Sequence, residues 1–439
     1  MPAPRSGLKF AWYGDDFTGA SDTLATLAQA GLKVLLFLDV PTPAQLVAAG
    51  GLDALGIAGA ARAMAPGEMR RALAPVAQFL AGCGAPVLHY KCCSTFDSAP
   101  HVGSIGTAVE TLHEPLRNAF VPILGGQPSL GRYCLFGQLF AVAEPGGPAY
   151  RIDRHPTMRQ HPVTPMDEAD LARHLGKQGL APIASLDWRS YRGSAAQLDA
   201  ALDRLLATKA SLHPVLLDAA DDGDLGIIGR LLWQRAQAGP LLAVGASSVA
   251  QALIDHWGLA RHAQDGRVAP AQGPVFVLAG SLSPVSAAQI AAATAYVQVP
   301  LDAARLVRAE GPYGDEVVAS IADLLRAGRH VLAHTRAETD PVTTAAQGAL
   351  APACGRLLRR ILETCPVARV GIAGGDTSSH AVQALAPWGL GWLGRLGPGV
   401  ALCRLRAAAP AFDGMEIMLK GGQMGGATVF DDLVAGRAG

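Results

Sequence analysis

Three carboxylates and three hydroxyls crowd the stretch Tyr13-Gly14-Asp15-Asp16-Phe17-Thr18-Gly19-Ala20-Ser21-Asp22, groups able to take a proton from a substrate hydroxyl or to hold a polar ligand. An apolar run from Leu8 to Trp12 precedes them, short enough for a buried strand. Leu24, Leu27 and Ala28 follow at helical spacing, up to Gly31. The acids therefore fall in the turn of a strand-turn-helix unit, at the carboxyl end of a strand, where open α/β sheets bind ligands. The plainer alternative is that Asp15 or Thr18 caps the helix.

A second polar stretch, Lys91-Cys92-Cys93-Ser94-Thr95-Phe96-Asp97-Ser98, closes the apolar run Pro86 to Tyr90, and Gly103-Ser104-Ile105-Gly106 opens a helix soon after. Lys91, the hydroxyls of Ser94, Thr95 and Ser98, and a helix start suit a carboxylate or a phosphate. Arg62, just beyond Ala54 to Ala58, adds a fork that matches a carboxylate. Each of these alone also fits an ordinary solvated loop.

Glycine turns recur later at strand ends: Gly280-Ser281-Leu282-Ser283 after Val275 to Ala279, Gly374-Gly375-Asp376-Thr377-Ser378-Ser379 after Val370 to Ala373, and Lys420-Gly421-Gly422-Gln423-Met424-Gly425-Gly426 after Glu416 to Leu419. Glycines let a ligand approach the backbone, and hydroxyls at a helix start complete a phosphate cradle. One such turn reads as a tight β-turn. Three in one half of the chain point to a phosphate-bearing ligand, with Ser281, Ser283, Gly374, Gly375, Asp376, Thr377, Gly421 and Gly422 as its contacts. Gly389-Leu390-Gly391-Trp392-Leu393-Gly394 matches the dinucleotide fingerprint literally but lacks the flanking strand and helix. P-loop, H-E-x-x-H and G-x-S-x-G signatures are missing, and His155 and His161 have no carboxylate at ligand spacing, so no protein-held metal is expected.

The elements that must position these groups alternate. Lys33 to Leu38, Ala54 to Ala58 and Pro86 to Tyr90 read as strands, with amphipathic segments between them, such as Met69 to Leu80, where Pro75 predicts a kink or break. Residues 125–165 are rich in turn formers, with Tyr133 to Ala143 the only sustained apolar run, and read as a long excursion carrying a hairpin. Helices at Asp167 to Lys177 and Ala195 to Ala207, and strands at Val215 to Leu217 and Leu241 to Val244, follow. Near Gly245-Ala246-Ser247-Ser248 a second alternation begins, through Val297 to Val299 and His330 to Ala333. The reading is an α/β chain of two domains with mainly parallel sheets, 1–240 and 241–439, and an active-site cleft between them.

Bulk properties narrow the partners. The 439 residues hold 36 Lys plus Arg and 36 Asp plus Glu, so no net field draws nucleic acid or an anionic membrane. No apolar run reaches the roughly 18 residues of a membrane span, and Met1 to Gly7 lacks a signal-type apolar segment. A cytoplasmic protein with small-molecule partners is expected, with a homo-oligomer left open. Seven cysteines, without zinc-like spacing and odd in number, read as reduced thiols.

Taken in order, Gly14 to Ala20, Lys91 to Ser98 with Gly103 to Gly106, His161-Pro162-Val163-Thr164-Pro165-Met166, Gly280 to Ser283, and Gly374 to Ser378 resemble the four-carbon acid sugar kinase family (DUF1537 type), over nearly the whole chain. The Cys93 to Ser98 and His161 to Met166 stretches look most like its 3-oxo-tetronate kinases. Members often have alanine where this chain has Gly14, asparagine at Ser104, and a K-S-G-N-F-G-like loop at Lys420 to Gly425. The resemblance implies an ATP-dependent kinase, working with Mg2+, that phosphorylates the terminal hydroxyl of a four-carbon sugar acid such as 3-oxo-tetronate, threonate or erythronate. A branched acid such as 3-oxo-isoapionate, or a non-catalytic sugar-acid-binding protein, is the alternative. It also implies acid contacts at Asp15 or Asp16, Arg62, Lys91 and Ser94, nucleotide contacts at Ser281, Gly374 to Thr377 and Gly421, and Asp15 or Asp16 as general base.

Overall fold

The computed structural model describes residues 7–144, 146–207, 211–261, 268–280, 283–307, 312–335, 344–397 and 399–436. They fall in two compact units, Met1–Ala263 and Gln264–Gly439.

The first unit is built on strands β1 (Phe10–Gly14), β2 (Val34–Phe37), β3 (Ala54–Ala58), β4 (Val87–Lys91) and β5 (Phe120–Leu124). A small antiparallel sheet follows, of β6 (Arg132–Leu135), β7 (Gln138–Val142) and β8 (Ala149–Arg151). The main sheet is completed by β9 (Ala184–Leu186), β10 (His213–Leu217) and β11 (Leu241–Gly245), giving a parallel order β2-β3-β1-β4-β11-β5-β10-β9. Its central strands are buried at every residue, as expected when helices cover both faces of a parallel sheet. β1 runs two residues further than its apolar run predicts, because Tyr13 and Gly14 still pair with Ile57 and Ala58 of β3.

Two expectations change. The helix Pro66–Gly82 runs unbroken through Pro75, which lies on its exposed face, so the carbonyl that loses its partner can turn to water. The domain boundary expected at 240/241 also fails. Leu241–Gly245 is inserted between β4 and β5, with Leu241 beside Val87 and Val244 beside Ile123, so β11 and the following helix Ser248–His256 belong to the first unit. Pro240 marks a turn within a sheet.

Where a long excursion is expected, the β6–β7 hairpin turns on Phe136 and Gly137, both at positive φ, as a two-residue hairpin loop requires. The Asp218 carboxylate, after β10, accepts the backbone N–H of both, at 2.6 and 3.0 Å, and so fixes the hairpin over the carboxyl edge of the sheet.

The second unit has β12 (Val275–Ala279), β13 (Val297–Leu301), β14 (Val331–Thr335), β15 (Arg369–Ala373), β16 (Pro387–Gly397), β17 (Val400–Ala407) and β18 (Glu416–Lys420), in the order β13-β14-β12-β15-β18-β17-β16. The first five of that order are parallel, and β17 runs antiparallel to both of its neighbours, β18 and β16. The G-x-G-x-x-G look-alike lies inside β16, with Gly389 and Gly391 paired to Arg406 and Arg404, and cannot wrap a dinucleotide. Both units are α/β with mainly parallel sheets. No helix among the described residues is long and apolar enough to cross a membrane.

Candidate functional site

In the first unit the chemistry collects at the carboxyl ends of β1, β3 and β4. β1 ends at Gly14, so Asp15 and Asp16 begin the turn into helix Phe17–Gln29. Asp16 is the N-cap: its Oδ1 accepts the N–H of Gly19 at 2.6 Å. The cap is thus neither Asp15 nor Thr18. Arg62, in the 3-10 turn Ala61–Ala63 that follows β3, reaches across. Its Nε and Nη2 donate to the two oxygens of Asp15, at 3.1 and 2.8 Å, while Nη1 lies 2.6 Å from Asp16 Oδ2. Both aspartates therefore share one guanidinium.

The two carboxylates differ in access. Asp15 is 4% exposed, whereas the Asp16 side chain keeps 30% of its surface. Burial pushes the Asp15 carboxyl up to about 6, against the downward pull of Arg62. The Arg62 guanidinium is held above its ordinary value by the two aspartates, although burial works the other way.

Lys91 ends β4, level with Gly14 in the sheet, and donates to the Cys92 carbonyl at 2.8 Å. A β-carbon built on Gly19 would lie 2.7 Å from Lys91 Nζ and 2.6 Å from Asp16 Oδ1. Glycine at 19 leaves room for both the ammonium and the carboxylate over the helix start. Gly103, at φ +61, does the same for Arg62: a side chain there would strike the Arg62 carbonyl at 2.5 Å.

The loop after Lys91 is braced from below. Ser94 and Thr95 are buried, and the Thr95 hydroxyl donates to Asp97 Oδ1 at 2.5 Å, so its proton is already committed. Phe96 sits at φ +54, a conformation a phenylalanine adopts only when its surroundings impose it. They do so through Ser98, whose hydroxyl contacts the Phe96 carbonyl, His174 Nε2 and Gln178 Nε2 at 2.9, 3.0 and 2.8 Å. Gln178 Oε1 in turn accepts the N–H of Ile105 at the next helix start, at 2.8 Å. Burial holds the His174 imidazole below its ordinary value, hence neutral near pH 7. His174 and Gln178 had no signal in the sequence, since nothing local marks a histidine that will meet a loop 76 positions away.

In the second unit the glycine turns also gather at one sheet edge. Gly374 N–H donates to the Lys420 carbonyl and Gly280 N–H to that of Ala373, both at 3.0 Å, which binds the ends of β12, β15 and β18 together. Ser283 caps helix Pro284–Ala292 by accepting the Ser286 N–H at 3.1 Å, and donates to the Gly422 carbonyl at 2.6 Å. Ser286 also donates to Gly422, and Gln289 Nε2 lies 3.0 to 3.1 Å from the carbonyls of Met424, Gly425 and Gly426. Ser283, Ser286 and Gln289 recur every three residues on one helix face, a spacing from which the last two could have been read. Gly375 opens helix Gly375–Leu385 with free space where a side chain would be, and Thr377 is buried against Gly280. Ser281 lies outside the described residues, as does the side chain of Asp376. Among the described residues no cluster of three His, Cys, Asp or Glu could hold a metal.

Known proteins match both units. A family model described as a sugar-binding N-terminal domain covers residues 10–253, and one described as a nucleotide-binding C-terminal domain covers 276–430. A 3-oxo-isoapionate kinase of Paraburkholderia graminis is 36% identical over 98% of this chain and 95% of its own length. A 3-oxo-tetronate kinase of Methylobacterium radiotolerans is 30% identical over 95% of this chain and 96% of its own. The crystal structure of Haemophilus influenzae protein HI1011, of the DUF1537 family, superposes with a TM-score of 0.78 over 96% of this chain and 98% of its own, at 23% identity, a likeness of fold.

Proposed function

The chain belongs to the four-carbon acid sugar kinase family and is an ATP-dependent sugar-acid kinase, and from this premise we propose that it phosphorylates the terminal hydroxyl of a 3-oxo sugar acid, with a branched acid of the 3-oxo-isoapionate type as its preferred substrate. The preference for the branched acid is supported by the 36% identity to a 3-oxo-isoapionate kinase, against 30% to the 3-oxo-tetronate kinase. The linear 3-oxo-tetronate is the competing substrate.

The observation that carries the mechanism is the shared guanidinium of Arg62. Asp15, buried and forked, holds Arg62 in place; Asp16, with open surface, faces the ligand side. Asp16 is the general base that takes the hydroxyl proton as that oxygen attacks the γ-phosphorus, the β,γ-bridging bond breaks, and ADP leaves. Lys91, with one of its three N–H groups on the Cys92 carbonyl, has donors left for the acid's carboxylate, beside Ser94. Thr95 shapes that loop through Asp97.

The glycine turns at Gly374, Gly375, Gly421 and Gly422, with Ser281, Ser283, Asp376 and Thr377, form the phosphate side. Mg2+ fits here as a companion of ATP, since it favours phosphate oxygens and water, and both oxygens of Asp15 are taken by Arg62. When bound, it neutralises phosphate charge.

ADP release measured over 3-oxo-isoapionate, 3-oxo-tetronate, threonate and erythronate tests the substrate. The branched 3-oxo acid should lead in kcat/KM by about tenfold or more, the usual worth of one extra group in a pocket. A lead for a linear acid overturns the preference.

A further inference from the structure

Lys420 ends β18 with 2% of its surface exposed, and its ammonium has no hydrogen-bond or ion-pair partner among the described residues. Alternation along the strand places it on the face of Met418, beside Ala373 of β15, and that face packs on Phe430. The Phe430 ring centre lies 5.8 Å from Nζ, at the outer limit of a cation–π contact. Such a contact does not replace the three hydrogen bonds an ammonium makes in water. A buried cation left in this state is accounted for by a ligand that brings the counter-charge.

The surroundings are those of an anion site. Through its carbonyl, Lys420 is joined to Gly374, at the start of the 11-residue helix Gly375–Leu385. Gly422, two residues on, receives the hydroxyls of Ser283 and Ser286, at the start of the 9-residue helix Pro284–Ala292. Two helix N-termini, each with positive partial charge, thus flank the strand end that carries the ammonium.

We propose that the Lys420 ammonium is a phosphate-binding group of the nucleotide site, pairing with an oxygen of the ATP polyphosphate between these two helix starts; this rests on reading the second unit as the nucleotide site. Burial holds the Lys420 amine down at about 8, so it is part-neutral in mildly alkaline solution, and an arriving anion favours its charged form. ATP binding therefore takes up protons there.

Calorimetric titration of the full chain with ATP at about pH 8, in two buffers of different ionisation enthalpy, reads both affinity and proton uptake. Wild type should take up a fraction of a proton. Lys420→Met should weaken ATP by about ten- to a hundredfold, the worth of one charge-assisted hydrogen bond, lose the uptake, and keep its affinity for adenosine. Lys420→Arg should keep most of the ATP affinity without uptake. Equal ATP affinity in wild type and Lys420→Met overturns the Lys420 assignment and leaves the nucleotide site standing, whereas a wild type that binds no ATP overturns the site itself. If Lys420→Met does not fold, absence of proton uptake by wild type overturns the proposal.

Discussion

Arg62 holds Asp15 in a two-point fork, Nε and Nη2 at 3.1 and 2.8 Å from its two oxygens, across 47 positions of sequence. The third guanidinium nitrogen reaches Asp16 at 2.6 Å. The arginine read in the sequence as a clamp for the substrate's carboxylate is thus engaged by the protein's own acids, and one of these is left with open surface for chemistry.

Asp16→Asn should separate catalysis from folding. Asparagine caps a helix about as well as aspartate, so the Gly19 contact survives while the base is lost. The expected result is a kcat lower by about a hundred- to ten-thousandfold with ATP affinity nearly unchanged. Steady-state kinetics with calorimetry checks it, and full kcat in the variant removes Asp16 as base.

Arg62→Met leaves the buried Asp15 charge unpaired. Urea unfolding at neutral pH should show a loss of about 1–3 kcal/mol, less than for a fully enclosed pair because Arg62 keeps 27% of its side-chain surface. Adding Asp15→Asn should restore most of that loss. An additive double variant would mean that the fork contributes nothing.

Gly19→Ala places a methyl group against Lys91 Nζ and Asp16 Oδ1, both of which can move aside. Thermal unfolding should change little while kcat/KM for the acid falls by about tenfold or more, through misplacement of the reacting groups. A large fall in melting temperature with normal kinetics of the folded fraction would show a packing role alone.

A β-carbon built on Gly375 meets no atom of the described residues within 4 Å, so the fold should tolerate Gly375→Val. ATP affinity should fall by about tenfold or more, because the side chain occupies space at a helix start meant for phosphate, and affinity for the sugar acid should stay the same. Unchanged ATP affinity on calorimetry would place the phosphates elsewhere.

Buried His89 should lower stability as pH drops below about 6.5. In the unfolded chain its imidazole takes a proton near 6.5, while burial in the folded state holds it down to about 3. Between those values the unfolded state binds the extra proton, so acid favours unfolding, by up to about 1.4 kcal/mol per pH unit for this group. Asp15 acts with the opposite sign: its folded carboxyl, up at about 6 from 3.8, binds a proton first and regains stability as pH falls through that window. His89→Leu removes the first contribution, and the Gly245 carbonyl keeps its bond from Cys92 N–H. Urea midpoints from neutral pH down to about 5 should therefore slope less steeply in the variant; an unchanged slope would show that His89 does not govern the window.

The strand-turn-helix of Asp15 and Asp16 was legible because an apolar run, two acids and a glycine punctuate it locally. So were the glycine turns at Gly374 and Lys420, each at the end of a short buried strand. The Arg62 fork was not, because it depends on β1 and β3 lying side by side with Gly14 level with Ala58, a register no local pattern states. Nor were β16 and β17, whose glycines imitate a loop, or the place of β11, which returns after a long excursion to fill a gap between β4 and β5. What stayed hidden was tertiary pairing over long separations.

The most direct test of sugar-acid phosphorylation is phosphorus NMR of the product formed from ATP and the 3-oxo acid, with ADP counted in parallel. The account predicts a new phosphate monoester signal split by the two protons of a terminal carbon, one per ADP, and its loss in Asp16→Asn. ADP accompanied only by inorganic phosphate, or a monoester on an inner hydroxyl, would contradict it.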